Sequence, residues 1–252
     1  MDLKTVRKAL RLLESFSREV RSQGVTEVAR KLNIHKSTAH ALLTTLKEEG
    51  YVIFDPMSRK YFLGYKLIDL AGQVQYGKDL RDLARPVMER LAEAVEEDVA
   101  LNVAIEGRRV CIGLVESRYF VRHLVPVGKA LPLHCSAAGK VLLAYRPVAE
   151  VKEIVRKHGL PRFTENTITD EKRLLLELEG IRKKGYGESR EEYGREAASL
   201  AFPVRDGKGR VIASLSIQST VNRLKGRRRT AFVQEGIQAA QKMSNLLVEL
   251  WP

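Results

Sequence analysis

Apolar residues recur at three- and four-residue steps from the first residues of the chain. Leu3, Val6, Leu10, Leu13, Phe16 and Val20 make one stripe on a predicted helix of about five turns. After Gly24, Thr26 stands where its hydroxyl can cap a short second helix, residues 27–32, that turns Val28, Ala29 and Leu32 inward. Asn33-Ile34-His35 reads as a tight connection. The spacing then predicts a third helix over residues 36–49 that buries Ala39, Leu42, Leu43 and Leu46 and leaves Lys36, Ser37, Thr38, His40, Ala41, Thr44 and Lys47 on its other faces. Gly50 closes it. Two β-rich runs, 51–54 and 61–63, flank Asp55-Pro56-Met57-Ser58-Arg59-Lys60 and form a hairpin with a basic tip.

Further along, Leu67, Leu70, Ala71 and Val74 share one helical face, with Gly72 open to close approach, and Leu80, Leu83, Val87, Leu91 and Val95 continue in a second helix after a break near Gly77. From Val99 the signals alternate between strand and helix. Residues 100–105 alternate with period two, Glu106-Gly107-Arg108 turns, and 109–115 returns as the hairpin partner; 119–127 reads as a third strand. A second hairpin is predicted from 198–204 and 210–217 around Arg205-Asp206-Gly207-Lys208-Gly209, and a last helix over 230–250 carries Phe232, Ile237, Ala240, Met243, Leu246, Leu247 and Leu250. Hairpins at both ends with helices between them predict an antiparallel sheet covered by helices, an α+β fold.

Composition narrows the function. The 252 residues carry 44 Lys+Arg against 31 Asp+Glu, a net charge of +13, so a polyanion is the first partner to expect: nucleic acid before an anionic membrane surface. Residues 1–60 hold twelve of the basic residues against seven acids, a net of +5. Only two cysteines, Cys111 and Cys135, and unremarkable Gly and Pro exclude disulfide-scaffold, collagen-like and disordered classes and suit a reducing compartment. No segment approaches the roughly 18 apolar residues of a membrane span. Met1-Asp2-Leu3-Lys4 leads directly into charged helical pattern without the apolar stretch of a secretory signal, so a cytoplasmic location is expected.

Two short helices joined by three or four residues, the second with small polar and basic side chains at its N-terminal end, suit a DNA major groove about 12 Å wide. Lys36 can serve a guanine or a phosphate, while Ser37, Thr38 and His40 offer short donors and acceptors. The competing reading is an αα-hairpin and a β-hairpin whose charges are merely solvated. The run Leu32-Asn33-Ile34-His35-Lys36-Ser37-Thr38-Ala39-His40-Ala41-Leu42-Leu43-Thr44-Thr45-Leu46, with Gly50 and Tyr61-Phe62-Leu63-Gly64, resembles the winged helix-turn-helix of IclR-type transcriptional regulators, and the likeness continues along the whole chain. The family pattern commonly has Arg where this chain has Ala41, which shifts weight onto Lys36, Thr38 and His40. The resemblance implies a winged helix-turn-helix over 1–63, a helical linker over 64–78 and a sensor (GAF-like) effector-binding domain over 79–252. It also implies contact with a double-stranded DNA operator through Thr26, Lys36, Ser37, Thr38, His40, Ala41, Thr44, Arg59 and Lys60. A homodimer or homotetramer is expected, since one recognition helix reads too few bases whereas two related by a two-fold axis read half-sites about 34 Å apart.

The informative centre of the second half is Leu131-Pro132-Leu133-His134-Cys135-Ser136-Ala137-Ala138-Gly139-Lys140-Val141-Leu142-Leu143-Ala144. Ser136 can cap a helix whose first residues are too small to cover their own amides, which makes an anion seat; a well-capped helix packed closely on the sheet explains the spacing as well. The stretch resembles the effector-pocket signature of IclR-type proteins, which implies a site at Ala137 and Ala138, with Ser189, Ser199, Ser216 and Gln218 on the opposite wall and His123 and Leu131 beside them. Ser214, Ser216 and Gln218 share one strand face, and small polar groups around an amide-lined seat suit a small carboxylate.

Enzymatic chemistry finds little footing. His134 and Cys135 are adjacent and, in extended chain, point to opposite faces; Gly139-Lys140 lacks the upstream glycine of a phosphate-binding loop. No HExxH or paired CxxC occurs, and His123, His134, Cys111 and Cys135 follow no established metal spacing, so no cofactor or metal is expected and each cysteine reads as a buried structural thiol. Arg223, Lys225, Arg227, Arg228 and Arg229 read as a solvated basic loop. The reading from another class is a basic enzyme or metabolite-binding module whose helix-turn-helix mediates protein contacts.

Overall fold

A computed structural model describes residues 3–17, 20–73, 78–118 and 125–250, and the chain divides into two compact units, Met1–Tyr76 and Gly77–Pro252. The first unit runs α1 (Lys4–Glu14), β1 (Ser22–Gln23), α2 (Val25–Leu32), α3 (Lys36–Glu48), β2 (Val52–Asp55), β3 (Lys60–Leu63) and α4 (Lys66–Gly72), its three antiparallel strands ordered β1-β3-β2. Leu12, Phe16, Val28, Ala39, Leu43, Val52 and Tyr61 form the centre of its core.

Three expectations for this unit need correction. The first helix ends at Glu14, well short of five turns, because Ser15 folds back: its hydroxyl donates to Leu12 O and accepts the Nε2 of buried Gln23. Gln23 belongs to β1, a two-residue strand too short to carry a period-two signal. Pairing Ser22 and Gln23 with Phe62 and Tyr61 brings the chain into α2 earlier, so the helix begins at Val25 and Thr26 lies exposed in its first turn rather than capping it. The side chain at this end is Glu27, whose Oε2 accepts the Gly24 N–H at 2.6 Å. The stripe on α1 does not all face inward either: Leu3, Val6 and Leu10 are more than half exposed, and Leu12 and Phe16 enter the core instead. On α4 no residue is buried and nothing lies close to Gly72, so its apolar face is unpacked within this unit; Val74 and Gly77 lie outside the described residues.

The second unit runs α5 (Lys78–Val95), β4 (Asp98–Ile105), β5 (Arg108–Val115), β6 (Ala130–Pro132), α6 (Ala137–Ala144), α7 (Val148–His158), α8 (Glu171–Lys184), β7 (Gly187–Arg190), β8 (Ala197–Arg205), β9 (Val211–Thr220) and α9 (Gly226–Leu250). Its six antiparallel strands are ordered β6-β5-β4-β9-β8-β7. Glu106 and Gly107, both at positive φ (48° and 74°), make the tight turn between β4 and β5. The expected third strand at 119–127 falls largely outside the described residues; the strand that pairs with β5 is β6. β7 carries too little apolar pattern to be read from sequence.

Strand alternation gives the sheet two unlike faces. Val99, Leu101, Val103, Leu200, Phe202, Val204, Ala213, Leu215 and Ile217 pack in one cluster with residues of α5 and α9. The positions between them, among them Ala100, Asn102, Ser199, Ser214, Ser216 and Gln218, are small or polar and buried or nearly so on the other face, where α6 packs with α8. One irregularity decides what stands on that second face. The β4/β5 register slips between Leu101, opposite Gly113, and Asn102, opposite Cys111, so Ile112 is bulged and the residues of β5 before it, Arg108 to Cys111, change side relative to those after it. Cys111 and Arg109 therefore join Asn102 and Ala104 on the polar face.

Candidate functional site

In the first unit, Asn33 takes a left-handed backbone (φ 52°) that ends α2, and Ile34 N–H bonds back to Ala29 O at 3.0 Å. His35 leads into α3 in extended conformation and supplies no side-chain cap. With Ala39, Leu42, Leu43 and Leu46 buried beneath, α3 presents Lys36, Ser37, His40 and Ala41 to solvent, and Thr38 and Thr44 half-buried at the edges. The wing turn is fixed by Asp55, which accepts the Met57 and Ser58 N–H groups at 3.1 Å each as well as the Ser58 hydroxyl; the Ser58 hydroxyl foremost, with both amides, holds its carboxyl below the usual range. Arg59 is exposed at the tip. Lys60 pairs with Glu27 at 3.6 Å, both side chains partly exposed, a weak contact that a phosphate could replace.

In the second unit the site gathers at the start of α6. Ser136 Oγ accepts the Gly139 N–H at 3.2 Å, as the capping pattern predicts. The small first turn serves packing as much as an open amide seat: a Cβ on Gly139 would stand 2.1 Å from Leu133 O, so only glycine lets α6 approach the turn that follows β6. Ala138, Ser189, Ser199, Ser216 and Gln218 line one cavity of ≈ 60 Å³. Ala137 and Leu131 are buried without lining it, and His123 lies outside the described residues. The wall also includes the α6 cap Ser136, named from sequence with the anion seat, and residues that sequence reasoning missed: Arg109, Cys135 and Tyr193.

Arg109 is only 4% exposed and donates through Nη1 to Asn102 Oδ1 at 3.1 Å. Asn102 is oriented for this by its own amide nitrogen, which donates to Ser216 Oγ (3.1 Å) and Ala100 O (3.3 Å), and Ser216 donates in turn to Ala100 O. Desolvation by burial lowers the Arg109 pKa, with the side chains of Cys111, Cys135 and Tyr193 nearby. Burial pushes both thiols up, Cys135 to about 12, so both are neutral near pH 7. His134 turns away to Pro161 O (3.0 Å), and Cys135 lies near Pro132 O (3.7 Å), so no nucleophile–base pair forms between them.

Lys140, on the same helix, is 1% exposed and fully paired: Nζ meets Glu192 Oε1 at 2.6 Å and Glu177 Oε1 at 2.9 Å, tying α6 to α8 and to the segment after β7. Burial raises the Glu192 pKa despite Lys140. The basic cluster is a further correction. α9 begins at Gly226 and takes in Arg227, Arg228 and Arg229; Arg223 forks onto Glu97 (2.7 and 2.9 Å) and Arg229 onto Glu188 (2.6 and 3.0 Å). The acids that pair with Arg223 and Arg229 lie far away in sequence, which is why local charge counting reads the run as solvated; Lys225 and Arg227 are exposed, as that reading expects.

Family comparison places both units. Residues 5–56 match the IclR helix-turn-helix domain, and residues 73–245 match the bacterial transcriptional regulator IclR C-terminal domain. The chain is an IclR-family transcriptional regulator. Among its relatives, the HTH-type transcriptional regulator KdgR of Escherichia coli is 36% identical over 240 residues, 95% of this chain and 91% of that protein. The transcriptional repressor AllR of E. coli is 30% identical over 91% of this chain and 83% of that one. Solved IclR structures from Thermotoga maritima (TM-score 0.81, 28% identity, 98% of this chain and 100% of that one) and Microbacterium hydrocarbonoxydans (TM-score 0.81, 28% identity, 96% and 98%) share the fold; the latter is complexed with 4-hydroxybenzoate. These relatives are named as regulators, which sets the enzyme reading aside. The regulator thus pairs a DNA-binding helix-turn-helix with a C-terminal effector-binding domain. Among its described residues no helix is long and apolar enough to cross a membrane.

Proposed function

We propose that this regulator grips operator DNA through α3 and the wing, and that a small organic acid in the C-terminal cavity alters that grip. The observation that carries the DNA half is the exposed face of α3, where Lys36, Ser37, His40 and Ala41 stand clear of solvent-excluding contacts while the opposite face is locked into the core. Thr38 and Thr44 flank that face, Thr26 and Arg59 supply backbone contacts, and Lys60 exchanges Glu27 for a phosphate. The Ala41 methyl, in place of the family's Arg, offers apolar contact of the kind a thymine methyl accepts. Exposed Leu3 at the start of α1, Val6 and Leu10 on it, and Ile68 and Leu70 on α4 are apolar surface that a second copy would cover, which supports a homodimer or a larger symmetric assembly. The division into 1–63, 64–78 and 79–252 follows from the same reading.

The effector half rests on the single cavity shared by Ala138, Ser189, Ser199, Ser216 and Gln218, with Ala137, Leu131 and His123 nearby in the chain's pattern. A ligand there acts only through different affinity for two arrangements of the regulator. The experiment is gel retardation with the DNA upstream of the protein's own operon across a salt series. Lys36→Ala should weaken binding and, where Lys36 serves a phosphate, reduce the slope of log affinity against log salt by about one. Unaltered affinity at every salt concentration would remove Lys36 from the reading surface, and loss of the wild-type complex under all conditions would remove the DNA reading.

A further inference from the structure

The effector cavity holds an uncompensated cation, and it is not the one that the motif draws the eye to. Lys140, beside the signature glycine, has two carboxylates. Arg109 has none: it makes no ion pair with any described residue, and the undescribed segment 119–124 contains no acid. A buried guanidinium without a counter-ion is costly unless something supplies the missing charge. Its one side-chain bond uses Nη1, on Asn102. Nε is buried without a partner, and the Nε–Nη2 edge is the one that takes a carboxylate through two parallel hydrogen bonds. A second buried donor, Gln218 Nε2, is unpartnered in the same cavity. Two residues on one cavity wall thus carry buried donors without partners, one of them charged, a combination that suits an anion.

Resting on the effector-pocket reading above, we propose that Arg109, assisted by Gln218 Nε2, receives the carboxylate of a small monocarboxylic acid, leaving the Ser199 hydroxyl to meet a polar group on its body. The cavity's ≈ 60 Å³ suits the carboxylate end of a small acid, being about two waters' worth of space at roughly 30 Å³ each. A second hollow, of ≈ 620 Å³, is lined by Glu89, Glu93, Glu96 and Glu116 with Arg118, so acids outnumber bases on its wall. The β4/β5 bulge is part of the device, because it places Arg109 on the cavity face.

The test uses the full-length protein, thermal unfolding, and sodium acetate as the smallest matching probe, with acetamide as its neutral isostere and ionic strength held constant with chloride. Acetate at about 100 mM should raise the wild-type melting temperature by about 2–4 °C and acetamide should not. Arg109→Met should abolish the acetate shift and Gln218→Met should reduce it. Arg109→Lys keeps the buried charge without the two-pronged edge, and should bind acetate about tenfold more weakly, so the proposal does not depend on the Met variant folding. Equal shifts from acetate and acetamide, no wild-type shift, or a full shift in Arg109→Lys or folded Arg109→Met would each overturn it. Ala138→Glu separates the two levels: if it retains the acetate shift, the pocket lies elsewhere; if it loses the shift while Arg109→Met keeps it, only the receptor role fails.

Discussion

Lys140 and Arg109 are both long cations withdrawn from water in the same unit, 1% and 4% exposed, yet their surroundings are opposite. Around Lys140 the fold brings Glu177 and Glu192 from α8 and the segment beyond β7, and the charge is closed within the protein. Around Arg109 it brings an amide, serine hydroxyls and neutral thiols, and the charge is left open to the cavity. The difference teaches that burial of a charge does not by itself mark either a structural or a binding role. What distinguishes them is whether the chain supplies the counter-ion.

The largest expected effect tests the closed site. Lys140→Met leaves Glu192 buried without its partner and should cost about 3–5 kcal/mol in urea denaturation. The remaining deficit has a pH sign: Glu192, already raised by burial, rises further without Lys140, so its protonated form is favoured in the fold and the deficit should grow as pH increases through that raised value. A variant as stable as wild type would end the structural role. Arg109→Met should behave differently, changing stability by about 1 kcal/mol or less in anion-poor buffer, because relief of the unpaired charge offsets the lost bond to Asn102. A loss as large as that of Lys140→Met would erase the contrast.

A smaller effect is expected at Glu188. Burial pushes its carboxyl up, but hydrogen bonds from Arg229 and Arg190 outweigh it and hold the group below the ordinary range. A depressed folded-state pKa contributes stability that is present above the unfolded value and lost as pH falls through the folded one. Glu188→Gln should therefore melt lower than wild type at neutral pH, and the two curves should converge in acid. Parallel curves at every pH would mean that the Arg229 and Arg190 contacts carry no net electrostatic stabilisation.

Much of this architecture was legible in the order of residues. The three-helix module and its polar α3 face follow from the spacing of Ala39, Leu42, Leu43 and Leu46, and the small and polar face of β9 from the alternation of Ser214, Ser216 and Gln218 with Ala213, Leu215 and Ile217. These are local patterns, set by 3.6- and 2-residue periods that neighbouring side chains already display. β1 and β7 escaped because two to four residues hold too little pattern, and Arg223 and Arg229 of the basic run that enters α9 were misread because Glu97 and Glu188 reach them only through the fold.

Sequence by itself determined the helices of the first unit, the two sheet hairpins of the second, the last helix and the polar face of β9. Tertiary structure alone decided the charge of the site. Strict alternation down β5 would have sent Arg109 to the apolar face of the sheet; one bulged residue, Ile112, reverses the strand and turns the guanidinium toward the cavity. Strand register is a property of paired strands, and no period within one strand can report it.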